Sequence, residues 1–121
     1  MTDIQEPARP GQLSADHTTL NGVLVVRLHG EIDHTVKDQF SNALLPRDGA
    51  APLRIVADLS GVTFMDSSGI NTLITTHQKA SAAQGWLRIA GAQEAVQRVL
   101  HIVGVDQFID CHPSLEQALR Q

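Results

Sequence analysis

Tyrosine is absent from this 121-residue chain, cysteine and tryptophan occur once each, and there are few cations. Each scarcity excludes something. A lone cysteine, Cys111, cannot close an internal disulfide, so the chain is expected to fold without one, in keeping with a reducing compartment; Cys111 reads as a small apolar residue near the last strand. Nucleic-acid binding draws most of its affinity from clustered Lys and Arg on phosphates. With two lysines and no basic run, the chain excludes DNA and RNA as main partners. Nine Lys and Arg stand against thirteen Asp and Glu, a net charge of -4 spread along the whole length. No run approaches the ~18 apolar residues of a membrane span. The opening Met1-Thr2-Asp3-Ile4-Gln5-Glu6 lacks the positive start and apolar stretch of a signal peptide, so a cytoplasmic protein is expected.

Hydrophobic residues at 42% and charged residues at 18% are the composition of a globular domain, and 121 residues suffice for one core. A chain of this size hides roughly two thirds of its unfolded surface, which leaves room for one sheet covered by helices and little for a deep cleft. Residues 1–14 hold Pro7, Pro10 and Gly11 and no apolar period, and read as a flexible lead-in to a domain over residues 15–121. Asp16 to Thr19, then Asn21-Gly22, then Val23 to His29 reads as strand, tight turn, strand, the second ended by Gly30. Val36, Phe40, Ala43 and Leu44, followed by Pro46, predict a helix of about three turns. Leu53 to Asp58 predicts a strand, followed by a short loop. Ile70, Leu73, Ile74 and His77 then predict a helix from Ser67 or Ser68 to Gly85, with Ser or Asp capping its start. Trp86 to Ala90 predicts a strand, and Ala92, Val96, Val99, Leu100 and Val103 the stripe of a helix ended by Gly104. Phe108-Ile109-Asp110 predicts a short strand, and Pro113-Ser114 opens a last helix with Leu115, Ala118 and Leu119. The alternation implies an α/β fold: a small, single-layer, mostly parallel sheet flanked by about four helices.

Motifs for common chemistries are missing. There is no GxGxxG and neither lysine follows a glycine, so nucleotide binding has no support. The histidines at 17, 29, 34, 77, 101 and 112 form no CxxC or HExxH pattern, and no metal site is expected; His77 and His101 read as half-buried packing residues. Asp66-Ser67-Ser68-Gly69 stands out between a strand and an amphipathic helix. A nucleophile elbow would need glycine two residues either side of the serine, and neither Ser67 (Met65, Gly69) nor Ser68 (Asp66, Ile70) has both, so hydrolysis is disfavoured. Two readings remain open from the residues. The serines cap the helix, or one accepts a phosphoryl group, tolerated by the free N–H groups and positive dipole end there. In the second case the chain is a switch and not an enzyme.

Three stretches resemble the STAS-domain anti-sigma factor antagonists of bacteria: Gly30-Glu31-Ile32-Asp33; Val56 through Asp66-Ser67-Ser68-Gly69-Ile70; and Leu87-Arg88-Ile89-Ala90-Gly91 followed by Val96 to Leu100 and Gly104-Val105. The resemblance implies a STAS fold and a non-enzymatic regulator that needs no cofactor. It implies binding to an anti-sigma factor that is also an ATP-dependent serine/threonine kinase, so that a sigma factor is released for transcription. It further implies phosphorylation of Ser67, which dissociates the complex, and resetting by a PP2C-type phosphatase. Asp33, Asp66, Ser67, Ser68 and Gly69 are the implied partner-binding residues. Asp33-His34-Thr35-Val36-Lys37-Asp38 departs from the family's usual small-residue, proline-containing start of the first helix; His34 reads as an exposed loop residue. The alternative is a non-phosphorylated accessory STAS subunit of a membrane lipid-transport ATPase, for which a charge at position 67 would not matter.

Overall fold

A computed structural model of the chain describes residues 13–45 and 53–120. The sheet begins as a hairpin. β1 (Leu13–Leu20) and β2 (Val23–Ile32) pair antiparallel across Asn21 and Gly22, both at positive φ (51° and 81°), the geometry a two-residue turn requires. β3 (Arg54–Met65), β4 (Trp86–Ala90) and β5 (Asp110–His112) then add in parallel, giving the order β1-β2-β3-β4-β5. The helices are α1 (Lys37–Leu44), preceded by a 3-10 turn at His34–Val36, α2 (Ser67–Ala82), α3 (Glu94–Ile102) and α4 (Leu115–Leu119). The expected architecture, a mostly parallel sheet with four helices, is therefore the one observed.

Alternation along each strand divides the apolar residues between two faces. On one face Val26, Leu28, Ile55, Ala57, Leu87 and Ile89 meet Phe40 and Leu44 of α1, Ile70 and Leu73 of α2, and Val96 and Leu100 of α3. On the other, Val56 and Ala90 meet Ala118 of α4, with Trp86, Leu115 and Leu119 around them. Burying each of the large side chains contributes about 1.5–3 kcal/mol, so the three-helix face carries most of the stability.

Several boundaries differ from the sequence expectation, each for a reason of pairing. β1 starts at Leu13, and Leu13 and Ser14, placed in the lead-in by composition, pair with Gly30 and His29. Residues 1–12 lie outside the described residues, as does Pro46. Gly30 does not end β2; at φ 120° it bends the strand, which continues to Ile32. The loop expected after Asp58 is strand as far as Met65. α3 starts at Glu94, two residues later than its apolar stripe, because Gly91 at φ 68° turns the chain first. The last strand is displaced to Asp110–His112: the N–H groups of Phe108 and Ile109 both donate to the Val105 carbonyl, at 3.1 and 2.9 Å, which winds that segment into a turn. Gly104 is left-handed (φ 83°) after α3, and Ser114 caps α4 by accepting from the Gln117 N–H, both as expected.

Candidate functional site

β2 and β3 end side by side. Ile32 pairs with Met65, and the Asp66 N–H donates to the Ile32 carbonyl at 3.1 Å. The next residue of each strand is an aspartate in extended conformation, Asp33 at φ -133°, ψ -173° and Asp66 at φ -104°, ψ -169°. Each carboxylate turns back onto the helical segment that follows it. Asp33 Oδ1 accepts from the Thr35 N–H at 3.0 Å and the Thr35 hydroxyl at 2.5 Å; Asp66 Oδ1 accepts from the Ser68 N–H at 2.8 Å. Two strand–cap–helix units thus stand next to each other with one geometry. The Thr35 hydroxyl first, and after it the Thr35 N–H, the nearby His34 and the Val36 N–H, hold the Asp33 carboxyl below its ordinary value against an opposing desolvation.

The cap of α2 is Asp66 and neither serine. The Gly69 and Ile70 N–H groups donate to the Asp66 carbonyl at 3.1 and 3.2 Å, so Asp66 satisfies three N–H groups of the first turn. Ser67, the first helical residue, is exposed, and its hydroxyl makes no hydrogen bond among the described residues; Ser68 is half-buried and Gly69 and Ile70 are buried. Gly69 is required by contact: a Cβ there would stand 2.6 Å from Met65 Cγ and 2.9 Å from Ile32 Cγ2. The first turn of α2 therefore rests on the ends of β2 and β3, which fixes Ser67 at the rim. Among the described residues no base is hydrogen-bonded to the Ser67 hydroxyl, so none is placed to activate it as a nucleophile.

Two features escaped the sequence reading. Arg27 to Ile32 of β2 pairs with Asp58 to Met65 of β3, which holds two more residues than the stretch opposite, with register breaks after Arg27 and after Gly30. These bulges break the alternation. Val62 and Met65 are buried while Thr63 and Phe64 between them point outward, Phe64 remaining 48% exposed close to Ser67 in sequence. The second feature is an open polar groove of about 260 Å³ between α1 and α2, lined by Lys37, Asp38 and Ser41 on one side and Ser68, Asn71, Thr72 and Thr75 on the other. Only the hydrophilic side of each helical stripe hints at it in sequence.

The remaining candidates lie elsewhere. His34 is exposed beside Asp33, as expected. His77 is half-buried against Phe108, ring centroids 5.4 Å apart. His101 is not half-buried: its side chain is 72% exposed and paired with Asp106 at 2.9 Å, because its place in the last turn of α3 faces the following turn rather than the sheet. Burial, and after it the charges of Asp106 and Asp110, push the Cys111 thiol up to about 11, so it is a poor nucleophile. Among the described residues no helix is long and apolar enough to cross a membrane.

Comparison with known proteins gives this geometry a context. The family model described as "STAS domain" matches residues 14–118. An anti-sigma F factor antagonist of Paenibacillus polymyxa is 28% identical over 91% of this chain and 93% of its own. The anti-sigma-F factor antagonist RsfB of Mycobacterium tuberculosis is 30% identical over 87% of this chain and 83% of its own. A crystal structure of an anti-sigma factor antagonist from Mycobacterium paratuberculosis superimposes with a TM-score of 0.80 at 28% identity, covering 93% of this chain and 96% of that one.

Proposed function

The chain belongs to the STAS domain family, and from that membership we propose that it is an anti-sigma factor antagonist switched by phosphorylation of Ser67. The observation that carries the switch is the Ser67 hydroxyl: exposed at the first position of α2, and spared from capping because Asp66 does that work. The unmodified protein binds an anti-sigma factor and so frees a sigma factor. That partner is also an ATP-dependent serine/threonine kinase. The γ-phosphoryl group of ATP passes to Ser67 Oγ, the hydroxyl proton leaves, and ADP is released; a PP2C-type phosphatase hydrolyses the ester and restores the binding form. The partner surface is the rim formed by Asp33, Asp66, Ser67, Ser68 and Gly69, within the domain that follows residue 14, and the exchange takes place in the cytoplasm. Phosphate adds about -1.5 to -2 charge to a rim already carrying two aspartates, which repels an acidic or apolar partner surface.

Three baits test this in lysate of the source cell: wild type, Ser67→Ala and Ser67→Asp, with captured proteins identified by mass. Capture of an ATP-binding kinase by the Ala form, and its loss with the Asp form, is the expected outcome. Equal capture of a transport ATPase by all three baits would overturn the phosphoswitch in favour of an assembly subunit in which Ser67 has no signalling role.

A further inference from the structure

The α1–α2 groove opens next to the proposed phosphorylation site, and its wall contains a cation. Lys37 opens α1 and is exposed, and its side chain makes no ion pair or hydrogen bond among the described residues. Across the groove stands Ser68, the immediate neighbour of Ser67. The other charged side chains at these two helix starts are the carboxylates of Asp33, Asp38 and Asp66, with Glu31 near the end of β2 and the titratable imidazole of His34 beside Asp33. Other described cations are engaged or remote: Arg27 faces Asp58, Arg88 donates to the Ala118 carbonyl and lies over Trp86, Arg98 pairs with Glu94 and Arg120 with Glu116, Arg54 opens β3 at the end away from Ser67, and Lys79 lies in the last turn of α2.

We infer that Lys37 is the counter-charge for a phosphoryl group on Ser67, pairing with it across the mouth of the α1–α2 groove; the inference rests on the phosphoswitch reading of Ser67. A dianion placed among several carboxylates gains most from the nearest mobile cation, and a lysine ammonium on its flexible four-carbon stem can swing from one helix start to the next without moving backbone. Asp33 and Asp66 offer no compensation, since both are acidic and both are held by their own caps. Modification then changes the rim twice: it adds negative charge, and it withdraws the lysine that the open groove otherwise presents to a partner.

The test needs no partner. Full-length chains carrying genetically encoded phosphoserine at position 67 are titrated by phosphorus NMR in three forms: otherwise wild type, Lys37→Gln and Lys37→Arg. The second phosphate ionisation is expected about 0.2–0.5 pH units lower with Lys37 than in the Gln form, the size of one exposed ion pair, with the Arg form following wild type and high salt closing the gap. His34 and the carboxylates are common to all three forms, so their own titration cancels from the comparison. Superimposed wild-type and Gln titrations, or an Arg form that follows Gln, would overturn the pairing. Whether Ser67 is modified in the cell is read separately, from the intact mass of the chain recovered there, so the pairing and the phosphoswitch can fail independently.

Discussion

Asp33 and Asp66 perform one task on neighbouring strands, yet only Asp33 has a hydroxyl bonded to its carboxylate. That bond makes a pH prediction at the scale of one residue. Thr35 lowers the folded-state pKa of Asp33, so the unfolded chain takes up the proton more readily than the folded one. The resulting stability is complete above the unfolded aspartate value of about 3.9 and is lost as pH falls through the lower folded value. Thr35→Val should therefore be less stable than wild type near neutral pH, and the gap should shrink on acidification below about pH 4; urea unfolding of both proteins across that range measures it. A gap independent of pH would place the role of Thr35 in packing. The aspartates were legible as site residues only through the family resemblance, because the strands expected from the sequence stopped at Gly30 and Asp58, short of both. Which residue caps α2 was not, because Asp and Ser both cap well and a one-residue shift of the helix start decides between them.

At the scale of elements, the site depends on how closely α2 sits on the ends of β2 and β3. Alanine is normally worth about 1 kcal/mol over glycine in a helix. Gly69 reverses that preference, since its missing Cβ is the space taken by Met65 and Ile32. Overpacking of this kind costs about 1–3 kcal/mol, so after the propensity gain Gly69→Ala should lose up to about 2 kcal/mol net in denaturant unfolding while an exposed glycine would gain. An unchanged or raised midpoint would mean that Met65 swings aside freely. The helix was legible from its 3.6-residue stripe, and the glycine from its place in the motif. The second half of β3 was not: Ser60-Gly61-Val62-Thr63 reads as a loop locally, and becomes strand only because β2 continues to Ile32 and supplies its hydrogen-bonding partner. The same long-range pairing creates the bulges that turn Phe64 outward, which no alternation rule foresees.

For the whole molecule, the alternation of strands and helices was enough to expect a parallel sheet, and Leu115, Ala118 and Leu119 marked the last helix; that these residues form a separate small core on the opposite face of the sheet was not legible, because a helical stripe does not say which face it covers. That layered core decides where the effect of phosphorylation is felt. Ser67 lies outside both apolar clusters, its hydroxyl makes no hydrogen bond among the described residues, and it leaves the cap to Asp66, while Gly69 and Ile70 seal the core beneath it. A negative group at the first position of a helix gains about 0.3–1 kcal/mol from the dipole, and repulsion from Asp66 and Asp33 offsets a similar amount. The phosphorylated and unmodified chains, and Ser67→Asp with them, should therefore unfold within about 0.5 kcal/mol of each other, the range of ordinary surface changes. Partner binding, in contrast, should be lost in the charged forms, because an interface that desolvates the rim must strip water from every charge left on it. Matched urea curves beside a binding assay separate the two effects. A stability change above about 2 kcal/mol would shift the switch from the interface into the fold, because only strain transmitted through Gly69 to the strand ends could produce a change of that size.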